Sequence, residues 1–150
     1  MKPFIVLLVT FVIALLGIKF LRDTYDFALA GRIAMAVMML FTAIAHFAFP
    51  KGMTMMIPDF IPNKLGMVYL TGIIEIAAAI GLLIPSISSL TGWLLILFFV
   101  LILPANIHAS MKQVDYQKGT ADGNGPKYLW FRIPLQVLFI LWTYFSAIVG

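Results

Sequence analysis

The sequence predicts an all-α, polytopic membrane bundle, and three observations predict it. Hydrophobic residues make up 63% of the 150-residue chain and charged residues 11%, where a soluble domain carries about 25% charged residues. The apolar residues gather into five runs, at about 3–20, 27–49, 66–85, 88–110 and 129–149, each near the ~20 residues a helix needs to cross a bilayer. Every lysine lies at the end of a run or in a connection between runs. Spanning helices therefore consume most of the length and leave no room for a soluble catalytic domain. With no cysteine, the chain has no disulfide, thiolate nucleophile or Fe–S ligand of its own. Any redox chemistry must be carried by a bound cofactor or a partner. No basic stripe alternates with exposed aromatics, so the net charge of +4 is assigned to membrane topology and not to nucleic acid.

The first run is uncharged only from Pro3 to Ile18, between Lys2 and Lys19. A basic start and an apolar core are also features of a signal peptide. No convincing small-x-small cleavage site follows, so residues 1–20 are read as an uncleaved N-terminal transmembrane helix or signal anchor. Thr10 is its one polar side chain before Lys19, and a helix with so little to offer a buried site is expected on the rim. The second run carries Arg32 near its start and His46 near its end, fourteen residues apart and hence on about the same face. Segment 50–65 is apolar but broken by Pro50, Pro58 and Pro62. It cannot span, and is expected to lie in the interface or to fold back over the bundle as a lid. The third run holds Glu75 within Tyr69–Pro85, with Thr71, Gly72, Ala78 and Ala79 three and four positions away. Small residues and carboxylate thus share a face, and that face packs on other helices. The fourth run ends with Pro104, Asn106 and His108. Segment 111–128 is polar and glycine-rich and reads as flexible. The fifth opens with Arg132 and Gln136, which at i,i+4 share a face.

Basic residues set the orientation. Lys2, Lys51, Lys64, Lys112, Lys118 and Lys127 fall on one side, Lys19 and Arg22 on the other. This places the N-terminus and loops 50–65 and 111–128 in the cytoplasm and the C-terminus outside.

A carboxylate inside a membrane span costs roughly 2.5–3.5 kcal/mol on the lenient insertion scale, so Glu75 requires a partner. Arg132, Arg32 and His46 are the candidates, in that order. Glu75 lies about ten residues, roughly 15 Å, from the surface near which His46, Asn106, His108, Arg132 and Gln136 also fall. Four helices thus send polar groups into one half of the membrane, with Arg32 at the opposite end. Each has a plainer reading. Arg32 and Arg132 can snorkel, Asn106 can cap backbone freed by Pro104, and His108 can be a solvated interfacial histidine. His46 and His108, at similar depth on different helices, have the arrangement of bis-histidine haem ligands, but neither helix has the run of small residues that would admit a porphyrin. Met53, Met55 and Met56 could hold Cu(I), yet methionine in an apolar loop is ordinarily a flexible hydrophobe. Neither haem nor metal is favoured, and no phosphate-cradling loop, zinc spacing or hydrolytic triad is present.

Taken in order, Gly31-Arg32, Ala45-His46-Phe47, Met56-Ile57-Pro58 with Pro62, Gly72 and Glu75 with Gly81-Leu-Leu-Ile-Pro85, Pro104-Ala105-Asn106-Ile107 and Arg132-Ile-Pro134-Leu-Gln136 resemble the DoxX-like membrane proteins. The resemblance implies a four-helix bundle over 27–149 with 1–20 as an addition, in a multi-pass protein of the bacterial inner membrane. Members of that family have been associated with thiosulfate:quinone oxidation and with membrane redox or oxidative-stress complexes, and many have no assigned activity. The expected function is a redox-associated component that binds a small amphipathic ligand such as a quinone. Glu75 would act as internal acid and His46 as its proton partner, the two catalytic candidates. Arg132, Gln136, Asn106, His108 and Arg32 are the ligand-binding candidates. The alternative is a non-enzymatic assembly, chaperone or transport factor whose polar cluster holds helices together or meets a partner membrane protein.

Overall fold

A computed structural model describes residues 2–58, 60–111 and 129–149. Residues 112–128, and with them the expectation of a flexible loop there, lie outside the described residues. Five helices long and apolar enough to cross a membrane are present: α1 (Lys2–Arg22), α2 (Phe27–Ala48), α4 (Lys64–Leu83), α5 (Ser88–Met111) and α6 (Leu129–Thr143), the last continued by a π-helical turn, Tyr144–Val149. A short α3 (Pro50–Thr54) lies between α2 and α4. The described residues are helices and their connections, without strands.

Local chemistry fixes where these helices start. Asp26 caps α2, its side chain accepting from the Leu29 N–H at 3.0 Å. Asn63 caps α4 from a left-handed conformation (φ 50°), accepting from the Gly66 N–H at 3.3 Å. A short polar side chain tolerates that conformation where a branched one would not. α3 opens on Pro50, whose missing N–H costs nothing at the first helical position. The proline-broken segment is therefore not wholly irregular, because its first proline starts a helical turn.

Helix α2 packs against α1, α4, α6 and the π-helical turn, while α5 packs against α4 and α6. The result is a closed ring, α2–α4–α5–α6, with α1 laid on the outside of α2. Met35, Met38, Met39, Leu82, Leu95, Phe99, Leu135 and Phe139 fill its centre. Large apolar side chains such as Ile13, Ile44, Ile73, Leu94, Leu101 and Leu141 are exposed around it. A water-soluble monomer does not present so continuous an apolar surface, whereas a bilayer requires it. This is a multi-pass membrane protein. α1 is the least buried of the five spans, as a rim helix should be. It still places Leu7 in the core and sets Phe11 edge-on to Trp142, centroids 5.1 Å apart.

The two ends of the ring differ. At one end three glycines let helices touch backbone to side chain. A Cβ on Gly31 would stand 2.8 Å from the Ser146 Cβ, and one on Gly92 3.0 Å from the Ala147 Cβ. One on Gly81 would overlap Thr91 outright. The same end carries the Trp142 Nε1–H donating to the Gly31 carbonyl at 3.0 Å. Arg32 is also there, donating to the Ser146 carbonyl at 3.0 Å, one of the backbone acceptors at the helix end that lack an intrahelical partner. At the other end the helices enclose a cavity.

Candidate functional site

The cavity measures about 480 Å³, within the range of small-molecule sites. It lies among the second half of α2, the first half of α4, the second half of α5 and the first half of α6. His46, Glu75, Asn106, Arg132 and Gln136 all line it. The sequence candidates His108 and Arg32 do not: His108 is absent from the lining, and Arg32 is committed to Ser146 at the opposite end. Segment 50–65 folds back as a lid, with Met53, Met56, Ile57 and Ile61 forming part of the wall. These methionines are apolar wall. Pro3 of α1 also reaches the cavity, so the first helix contributes to the site more than its lack of polar residues suggested.

The partner of Glu75 is His46, with Nε2 3.2 Å from Oε2 and both side chains largely buried. Arg132, preferred as partner on the sequence, lines the same cavity, but the ion pair at Glu75 is made by His46. The reason is local and lies in Gly72. A Cβ there would stand 2.9 Å from the His46 Cβ and 3.1 Å from the Phe47 ring, so the glycine lets α4 close on α2 at the histidine. Glu75 lies one turn beyond Gly72, on the same face.

The tautomer of His46 follows from its other nitrogen. Nδ1 is 2.9 Å from the Val68 carbonyl oxygen, which can only accept, so Nδ1 carries a hydrogen and donates it. The Thr71 hydroxyl, 3.1 Å from the same nitrogen, then faces it with its oxygen, its own hydrogen directed to the Met67 or Val68 carbonyl at 2.9 Å. Nε2 therefore meets Glu75 either as an acceptor from a protonated carboxyl or as a donor to a carboxylate. In both states one proton sits between the two residues. Thr42 lies beside the same carboxyl with its hydroxyl hydrogen given to the Met39 carbonyl at 3.0 Å. Oε2 is close to Nε2 but not aligned as a full hydrogen bond, which leaves the carboxyl with bonding capacity to spare.

Gln136 is almost wholly buried and donates its Nε2–H to the Phe99 carbonyl at 2.8 Å. A carbonyl cannot donate, so this bond also settles which end of the amide is which: Oε1 is left without a partner. Asn106 is buried as well, and its Nδ2 has no hydrogen-bond partner. It therefore does not bond to the backbone freed by Pro104, the structural role the sequence allowed. Buried polar atoms are ordinarily satisfied, and each orphan costs about 1–3 kcal/mol. Two of them, Asn106 Nδ2 and Gln136 Oε1, line the cavity that also holds the Glu75–His46 pair.

Phe98, Phe99 and Phe139 build the apolar side of the cavity, Phe99 and Phe139 with centroids 5.7 Å apart. The sequence reading did not single these out, nor Thr42. Thr42 was within reach, since it stands four residues before His46 and Thr71 four before Glu75, each on the face of its functional neighbour. The aromatic walls, to which Phe41 also belongs, carried no such signal, being four phenylalanines among 13. Both ring nitrogens of His46 are engaged and His108 lines no part of the cavity, so the described residues do not offer the paired axial ligands a haem would take.

Comparison with known proteins adds a family without an activity. A family model described as a domain of unknown function, DUF8561, matches residues 35–147, from the first half of α2 to the π-helical turn, with α1 outside the match. No curated protein matches the chain. No solved structure matches it either.

Proposed function

The chain belongs to the DUF8561 family, and on the geometry of its cavity we propose that it binds a small amphipathic ligand within the membrane. One observation carries the reading: two orphaned polar atoms, Asn106 Nδ2 and Gln136 Oε1, line the same cavity as the Glu75–His46 pair, in a wall that is otherwise mostly apolar. A ligand that fits must bring an apolar body and a few polar atoms, and must arrive through lipid. A quinone-type ring meets these demands, with its ring against Phe98, Phe99 and Phe139 and its oxygens toward the amides. The Glu75–His46 pair, holding one proton, is placed to exchange it with a bound ligand, and Arg132 stands among the head-group contacts. The motif order that resembles the DoxX-like proteins supports a redox-associated role in a bacterial inner membrane. In that setting the segment 50–65 faces the cytoplasm, as the lysine asymmetry favours.

Mass spectrometry of the protein purified in mild detergent tests the reading. The expected result is a near-stoichiometric small amphiphile that is released on denaturation and is absent from Glu75→Gln. Recovery of an intact partner membrane protein with no extractable small molecule would favour an assembly or transport role instead.

A further inference from the structure

We infer that the site selects a ligand carrying both a hydroxyl donor and an oxygen acceptor, and so prefers a quinol or related hydroxylated ring over the corresponding quinone. This rests on the small-ligand reading above and narrows it by chemistry.

The two amides differ in what fixes them. Gln136 offers an unused acceptor, Oε1, while Asn106 leaves Nδ2 unused and its amide can turn either end to a ligand. The assignment of Gln136 is fixed by the Phe99 carbonyl, which takes its N–H. A quinone has only acceptor oxygens. It can satisfy Asn106, but it leaves the buried Gln136 carbonyl facing another lone pair. A quinol satisfies both, donating its hydroxyl hydrogen to Gln136 Oε1 and accepting from Asn106 Nδ2 through an oxygen. Position matters too. Gln136 is tied to the level of Phe99, and Asn106 lies one heptad further along α5, about 10 Å along the axis and on the same face. A ligand that meets both holds its oxygens at opposite edges of a ring-sized body. The Phe99 and Phe139 rings stand where that body would pack. Glu75 lines the same space and supplies further capacity for hydrogen bonding, as donor when protonated and acceptor when ionised.

Calorimetric titration in detergent, under anaerobic conditions, would compare a short-tailed benzoquinol, its quinone and its dimethyl ether. The quinol should bind the unaltered protein at least about tenfold tighter than the quinone, the scale set by one orphaned buried acceptor. The ether keeps the ring but has no donor, and should bind no better than the quinone. Asn106→Leu should weaken quinol and quinone by the same factor, since both present an acceptor there. Gln136→Leu should remove the preference by weakening the quinol alone. Because the ether gives the donor test on unaltered protein, a failure of Gln136→Leu to fold would not shield the proposal. Equal or tighter binding of the quinone or the ether would overturn this inference and leave the small-ligand reading standing. No binding of any of the three would overturn both.

Discussion

Glu75 and His46 show how a single glycine can decide the fate of a buried charge. Gly72 brings α4 against the His46 Cβ, and the carboxyl then meets Nε2 at 3.2 Å. Since His46 Nδ1 is held protonated by Val68, a neutral amide at position 75 can still donate to Nε2. Glu75→Gln is therefore expected to keep thermal stability in detergent to within about 1 kcal/mol of the parent while losing ligand. Glu75→Leu leaves Nε2 with no partner and should cost about 1–3 kcal/mol, a sizeable part of a typical stability of 5–15 kcal/mol. A loss for the glutamine variant as large as for the leucine one would show that the pair is a structural ion pair whose charge is essential. Glu75 could be recognised from the sequence because a carboxylate in a long apolar run has so few explanations. Its partner could not, because reach along a membrane normal favours the long arginine, and only the Gly72 contact tells that the histidine is nearer.

At the scale of the helix, the ends were legible from apolar run length, whereas the caps Asp26 and Asn63 that fix the starts of α2 and α4 were not read from the sequence. The five long helices fall within a few residues of the apolar runs. Segment 50–65 was legible as a segment that cannot span, but its opening helical turn was not, because the same proline that breaks a helix also begins one. Glycines separate clearly by what surrounds them. Gly72→Ala should cost about 1–3 kcal/mol through overpacking against His46 and Phe47, and should weaken ligand binding by forcing α2 and α4 apart at the site. Gly17, on the outer face of α1, has nothing near its missing Cβ. Gly17→Ala should be neutral or stabilising, as alanine is the better helix former by about 1 kcal/mol. Parallel melting curves of the two variants in one detergent check both claims, and similar losses would contradict them.

For the whole molecule, the alternation of spans places α3 at the end of the bundle where the cavity lies and the Ile84–Ile87 turn at the other. The chain has no cysteine, so single introduced thiols report without background. Lys51→Cys and Ser86→Cys, at exposed positions, should label with an impermeant reagent from opposite faces of oriented vesicles, Lys51→Cys from the cytoplasmic one. Labelling of both from one face would contradict the alternation. The five spans were legible from apolar run length, and a core of four with the first helix added was what the resemblance to the DoxX-like proteins implied. The hollow at one end was legible only as a crowd of polar residues at similar depth; Arg32 was placed at the opposite end, but the sequence could not tell that His108 also stands apart. The close glycine contacts at Gly31, Gly81 and Gly92 all sit at the end away from that hollow. Three of the tight glycine contacts thus lie away from the hollow and one, Gly72, beside it. If the hollow binds a ligand as proposed, lining side chains other than those at the Gly72 contact can be exchanged, and with them what is bound, without disturbing the packing at the far end.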